Sequence, residues 1–93
     1  MIERTATIAA TVGLHARPAA IFAEAAAEYD DLEITIAATG EPVEEAMDAT
    51  SVLSLMSLGV AHGDTVVLRA QGKGAEDALV RLVQILETNH DAE

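Results

Sequence analysis

The run Gly13-Leu14-His15-Ala16-Arg17-Pro18-Ala19-Ala20 carries the chemistry of this chain. It sets a histidine, and two residues later an arginine, at the expected start of a helix. Gly13 permits a tight entry turn. Pro18 lacks an N–H and has a preset φ, so it suits the first turn of a helix and no deeper position. His15 then falls near the N-cap, where unpaired amides and the positive end of the helix dipole point at whatever it carries. Such an end is an anion site. It also disfavours imidazolium, so His15 is expected to stay neutral and nucleophilic near pH 7. Arg17 can add charge-assisted donors to phosphate oxygens. The expected chemistry is a phosphoryl group held on an imidazole by a few donors at an open surface, from which it can be passed on. A lone histidine at a helix start is more often a cap or a surface residue. The ordered conjunction of Gly13, His15, Arg17 and Pro18 favours the chemical reading.

The rest of the chain must position that run. Ninety-three residues make one small domain with a limited core. There is no cysteine, so disulfides and thiolate metal sites are excluded. The start, Met1-Ile2-Glu3-Arg4, does not read as a basic-plus-apolar leader, and no apolar run approaches a membrane span. A soluble, cytoplasmic protein is expected. Sixteen acidic residues face five basic ones, a net charge of −11, and Lys73 is the only lysine. Nucleic acid and anionic membrane are therefore excluded as expected partners. Such acidity suggests adaptation to high salt, where counterions screen self-repulsion. The alternative is an ordinary acidic, alanine-rich protein from a GC-rich genome.

Ile2, Arg4, Ala6 and Ile8 alternate with Glu3, Thr5, Thr7 and Ala9, which predicts a first strand. Ala16 to Tyr29 predicts a helix with Ile21, Phe22, Ala25, Ala26 and Tyr29 on its inner face. Leu32, Ile34 and Ile36 mark a second strand, and Gly40-Glu41-Pro42 a turn. A short third strand is expected around Ala46 to Ala49. Ser51 is the expected N-cap of a short helix, Val52 to Leu58, closed by Gly59. Gly63-Asp64 is a turn, Thr65 to Ala70 a fourth strand and Gly72-Lys73-Gly74 a loop. Ala75 to Glu87 is the clearest amphipathic helix, with Ala75, Ala78, Leu79, Leu82, Ile85 and Leu86 inward. Glu76 and Asp77 complement its N-terminal dipole. Residues 1–88 are read as one domain and residues 89–93 as a flexible tail. His62, in a turn, and His90, in the tail, receive no role. The order is βαββαβα. One four-stranded antiparallel sheet with three helices on one face, an α+β fold, buries both apolar sets.

The first run resembles the active-site segment of HPr, the histidine-containing phosphocarrier of the phosphoenolpyruvate-dependent sugar phosphotransferase system. A second stretch, Ser51-Val52-Leu53-Ser54-Leu55-Met56-Ser57-Leu58-Gly59-Val60, resembles the HPr segment that begins with a regulatory serine and continues into a short helix with exposed apolar residues. The resemblance implies an open-faced β-sandwich with strand order 1-4-2-3. It implies that His15 takes a phosphoryl group on Nδ1 from phospho-enzyme I and gives it to a sugar-specific enzyme IIA. Arg17 would stabilise the phosphate, with Gly13, Ala16 and Pro18 supporting it. Ser51 becomes a candidate for a regulatory kinase, although as a helix cap it also has a plain structural reading. Ala20, Val52 and Leu53 become docking positions, with Ala16. Met56 is a further docking candidate, although its spacing, like that of Leu58, reads first as core. No metal or organic cofactor is implied, and the sequence offers no ligand cluster. The protein would be a reactant in a relay rather than an enzyme, and a monomer. Two alternatives stay open: a regulatory HPr paralogue feeding a control circuit or a dihydroxyacetone kinase, and a plain α+β binding module in which His15 is only a cap.

Three departures from the HPr pattern carry consequences. Val12 stands where a polar residue often helps to hold the phosphate; Thr11 is the nearest substitute. Glu24, Ala27 and Ser54 stand where many members carry lysines that meet an acidic partner, so electrostatic steering from those positions is lost. The connection from Gly40 to Ser51 is longer than usual by about four residues, which predicts a protruding acidic loop around Pro42 to Glu45.

The charge reading gives a direct test. The Debye length falls from about 10 Å at 0.1 M salt to about 3 Å at 1 M, which screens repulsion among like charges. The melting temperature is expected to rise with potassium chloride toward molar concentration. A flat melting curve across the series would reject salt adaptation.

Overall fold

A computed structural model of the chain describes residues 2–9, 16–41 and 45–88. The elements follow the order β1 (Ile2–Thr7), α1 (Ala16–Ala27), β2 (Glu33–Ala38), β3 (Met47–Asp48), α2 (Val52–Ser57), β4 (Thr65–Gln71) and α3 (Ala75–Leu86). The strands form one sheet in the order β1-β4-β2-β3, with every neighbouring pair antiparallel. This is the expected βαββαβα architecture and the strand order that the HPr resemblance implies.

Period-two alternation assigns the faces. Ala6 and Ile8 of the first strand segment, Ile34 and Ile36 of β2, and Val66, Leu68 and Ala70 of β4 are buried together with the inner faces of α1 and α3. Phe22, the only phenylalanine, is fully buried in that layer. Leu55 anchors α2 to the same core. On the opposite face Glu3 and Arg69 are direct cross-strand partners, and Arg69 Nε donates to Glu3 Oε2 at 2.8 Å. Ala37 and Val67 are buried although alternation assigns them to this open face. They are cross-strand partners on two adjacent strands, and each shields the other.

Several boundaries differ from the sequence expectation. α1 ends at Ala27, and the amides of Glu28 and Tyr29 close tight i→i−3 bonds to Ala25 and Ala26 instead. Its buried face is Pro18, Ala19, Phe22, Ala23, Ala25 and Ala26. Ile21 lies just off that arc and is only half-buried. Small alanines let α1 pack against α3 and α2, and its inner face is centred on Phe22. Leu32 precedes β2 rather than opening it, yet still packs partly against the core. β3 is two residues long, shorter than the Ala46–Ala49 expected. α2 ends one residue early, with Leu58 as its C-cap, and Gly59 leaves with φ +68°. β4 extends one residue further, to Gln71. In α3, Ile85 is half-buried and Glu87 is the C-cap. The tail 89–93 and most of the loop expected around Pro42 to Glu45 lie outside the described residues.

Arg81, midway along α3, ties that helix to the two residues that follow α1. Its Nη1 donates to Glu28 Oε1 at 2.8 Å and to Tyr29 Oη at 3.2 Å, and its guanidinium lies 5.8 Å from the Tyr29 ring centroid. The Arg81 guanidinium holds the Glu28 carboxyl below the ordinary carboxylate range.

Candidate functional site

α1 begins at Ala16, so position 15 immediately precedes its first helical residue. His15 and Gly13 themselves lie outside the described residues, as does position 12. What the structure describes is the platform that follows them. Ala16 and Arg17 are exposed, and Pro18 is buried in the first turn. By helix geometry the first-turn amides have no acceptor within α1, and Pro18 withholds none that the helix needs. No acidic side chain occupies that turn. The positive end of a twelve-residue helix is therefore not offset by a carboxylate of its own first turn. Burial of Pro18 and Ala19 fixes the helix start against the core.

The second stretch is built by a turn. Asp48 Oδ1 accepts from the Thr50 amide at 2.9 Å and from the Thr50 hydroxyl at 2.7 Å, and the Ser51 amide donates to the Asp48 carbonyl at 3.2 Å. These bonds carry the chain from β3 to Ser51, which is extended, with φ −102° and ψ 114°. Ser51 Oγ then accepts from the Ser54 amide at 3.3 Å, so Ser51 is the N-cap of α2, as its sequence position predicts. The two Thr50 bonds also hold the Asp48 carboxyl below the ordinary carboxylate range.

α1 and α2 pack against one another, which brings the two sequence stretches onto one side of the molecule. Leu53 is 78% exposed and Met56 is 44% exposed. The expectation that Met56 is core is corrected: Leu55 takes the inward position, and Met56, one residue on, turns outward. Leu58 does pack partly against the core. Val52 is half-buried against the core and so serves it directly, while Ala20 on α1 is half-buried. His62 is exposed in its turn, and His90 lies outside the described residues. Glu24 and Ala27 are exposed on α1, and Ser54 is half-buried. Among the described residues no group of histidine and carboxylate side chains is arranged to hold a metal ion.

A groove of about 370 Å³ lies beside α2 rather than at the start of α1, between Met47, Ser57 and Leu58 and the carboxylates Glu41 and Glu45. The hydrogen bond and charge of Glu45 push the Glu41 carboxyl above the ordinary carboxylate range.

Residues 2–88 match the family described as the PTS HPr component phosphorylation site. The chain is 40% identical over 87 residues to the phosphocarrier protein HPr of Haloferax volcanii, covering 94% of each. It is 33% identical over 87 residues to the HPr-like protein Crh of Halalkalibacterium halodurans, covering 94% of this chain and 98% of that one. Its fold superposes on the crystal structure of HPr-C-His from Thermoanaerobacter tengcongensis with a TM-score of 0.79 at 38% identity, covering 94% of this chain and 92% of the other. A dimer of HPr from the same organism has also been solved, and matches with a TM-score of 0.64. The chain belongs to the HPr family, the phosphocarriers of the phosphotransferase system. A phosphocarrier is a reactant in phosphoryl transfer and not an enzyme. Among the described residues no helix is long and apolar enough to cross a membrane.

The Asp48 turn gives a pH prediction. A carboxyl whose folded pKa is depressed adds stability above its unfolded value of about 3.9, and that stability is lost as pH falls through the folded value. Asp48→Ala is expected to lower the melting temperature at pH 7. The gap from the unmodified protein should close on acidification below about pH 4, where the unfolded carboxyl is already protonated. A gap independent of pH, followed by thermal melts from pH 7 to 2, would show that the charge of Asp48 contributes nothing.

Proposed function

We propose that this protein accepts a phosphoryl group on Nδ1 of His15 from phospho-enzyme I and passes it to a sugar-specific enzyme IIA. The observation that carries this reading is the adjacency of position 15 to the first residue of α1, in a chain whose residues 2–88 match the HPr phosphorylation-site family. The neutral imidazole nitrogen of His15 attacks phosphorus as the bond to the donor histidine breaks. The electron pair returns to the donor ring, and the same in-line exchange runs outward to enzyme IIA. Amides at the start of α1 and the Arg17 guanidinium stabilise charge on the transferring group. Gly13, Ala16 and Pro18 support that end of the helix. The protein works as a monomer in the cytoplasm and needs no cofactor of its own.

Docking rests on the apolar surface shared by α1 and α2: Ala16, Ala20, Val52, Leu53 and Met56. The exposure of Leu53 and Met56 supports this, since two large apolar side chains on a six-residue helix gain nothing from water. Ser51 is the candidate regulatory site. A phosphate there would place negative charge at the edge of the docking surface. The regulatory paralogue reading keeps His15 and Arg17 in the same roles and differs only in the acceptor.

Incubation with phosphoenolpyruvate and enzyme I, followed by phosphorus NMR, is expected to give one acid-labile phosphohistidine. His15→Ala should abolish it and leave the fold intact, because a helix-cap position contributes only about 1 kcal/mol. Label persisting at His62 or His90 in that variant would reject the assignment. Phosphoryl release to enzyme IIA, but not to the subunit of a dihydroxyacetone kinase, separates transport from the regulatory alternative.

For the docking surface, Ser51→Asp is expected to fold normally, since negative charge is tolerated at a helix N-terminus. It should accept the phosphoryl group from enzyme I more slowly. An unchanged transfer rate in a stopped-flow assay would remove α2 from the interface.

A further inference from the structure

The groove beside α2 has no part in the proposed phosphoryl transfer, yet its lining has a consistent chemistry. It holds about 370 Å³ between the end of β2, β3 and the C-terminal end of α2. Its apolar wall is Ala37, which is buried, with Met47 and Leu58, which are half-buried. Its polar side chains are Glu41, Glu45 and Ser57, all exposed. Ser57 Oγ donates its proton to the Leu53 carbonyl at 2.8 Å, so it offers a ligand only its lone pairs. The two carboxylates, once ionised, are likewise acceptors only. Glu45 pushes the Glu41 carboxyl up through its hydrogen bond and its charge, so the two groups lie close enough to repel. Arg4, Arg69 and Arg81 do not relieve that repulsion, being engaged with Glu76, Glu3 and Glu28.

Three acceptors beside an apolar wall select the occupant. An anion is repelled by the carboxylates and finds no side-chain donor among these residues. A wholly apolar group would cover the carboxylates without pairing them. A bare metal ion would leave the apolar wall uncovered and needs more ligands than these. Among the described residues no group of three carboxylate or histidine side chains is arranged to hold one. A guanidinium on an aliphatic stem meets every feature. The stem lies along Met47 and Leu58, and the planar fork donates to both carboxylates and to Ser57 Oγ. We propose that this groove is a docking site for an arginine side chain of a protein partner. The net charge of −11 favours the approach of such a basic surface. The proposal is independent of the role of His15, and its test involves no phosphoryl transfer, so either reading can fail without the other.

The full chain, labelled with carbon-13 at its methionine and leucine methyls, is titrated by NMR with the blocked tripeptide acetyl-Ala-Arg-Ala-amide. The Met47 and Leu58 signals are expected to shift and saturate, while those of Leu53 and Met56, outside the groove, stay in place. Glu41→Gln combined with Glu45→Gln keeps the shape of the groove and should weaken binding about tenfold. The same spectra report that the fold is intact. Asp30→Asn combined with Asp31→Asn removes the same two charges at an exposed position outside the groove, and should bind like the unmodified protein. A norleucine tripeptide, which keeps the stem and loses the charge, should leave Met47 unmoved. A lysine tripeptide should bind more weakly, because a compact ammonium does not fork between two carboxylates. Equal weakening by the two double variants would overturn the proposal, since net charge alone would then hold the peptide. Equal binding of the norleucine or the lysine tripeptide would overturn it too. So would the same Met47 and Leu58 shifts on addition of magnesium chloride alone, which would make the groove a metal site.

Discussion

Burial of one face of a four-stranded sheet is the constraint on which the rest of this structure depends. The chain has one phenylalanine, one tyrosine and no tryptophan, so its core is assembled from aliphatic residues and many alanines. Alanines line the inner side of α1, which packs against α3 and α2, and Phe22 is fully buried in the shared core. β4 lies between β1 and β2, so its inward residues, Val66, Leu68 and Ala70, touch the widest stretch of that core. This packing fixes the start of α1. The phosphoryl-carrying histidine of the proposed mechanism needs a helix end that does not move, and Pro18 and Ala19 supply one by being buried.

The charge of the molecule is arranged around that core without entering it. No polar or charged side chain is fully buried among the described residues. Arg4, Arg69 and Arg81 each meet a carboxylate of the chain itself, Glu76, Glu3 and Glu28. These pairs are mostly exposed, and solvent screening leaves each of them little to contribute to stability. Their consequence is electrostatic. They occupy cations that could otherwise face an acidic partner, and Glu24 and Ala27 add none on the exposed side of α1. Leu53 is the most exposed large apolar side chain among the described residues.

Two sets of contacts hold the chain before position 10 and after position 15: hydrogen bonds from α3 and the 61–64 turn to residues 7–9, and the buried first turn of α1. Both are tertiary. The Asp64 carboxylate shapes its own turn by accepting from the Ala61 amide at 2.8 Å, while its backbone carbonyl reaches Ile8. The Asp48 turn does the same for α2, delivering Ser51 to a cap position. A short polar turn thus carries the placement of Ser51, and the hydrophobic layer carries the stability.

Much of this was legible in the amino-acid sequence, because the signals concerned are local. Alternation in β1 and β4, the apolar stripe of α3, the cap at Ser51 and the glycines at 59, 63 and 74 are read from neighbouring residues, and each stands where it was expected. The proposed chemistry of Gly13, His15, Arg17 and Pro18 rests on local spacing and residue type alone, since Gly13 and His15 lie outside the described residues. Boundaries were less legible where a short element depends on its neighbours, as in the two-residue β3 and the end of α1. Burial was misjudged at Ile21 and Met56, since each is apolar and lies beside the inward arc of its helix, and only the packed neighbour decides which side of the arc is covered. The hydrogen bond from the Thr7 amide to Glu87 Oε2 had no sequence signal at all. It joins the two ends of the chain, and nothing in either segment marks the other as its partner until the sheet order places β1 at the edge against the end of α3.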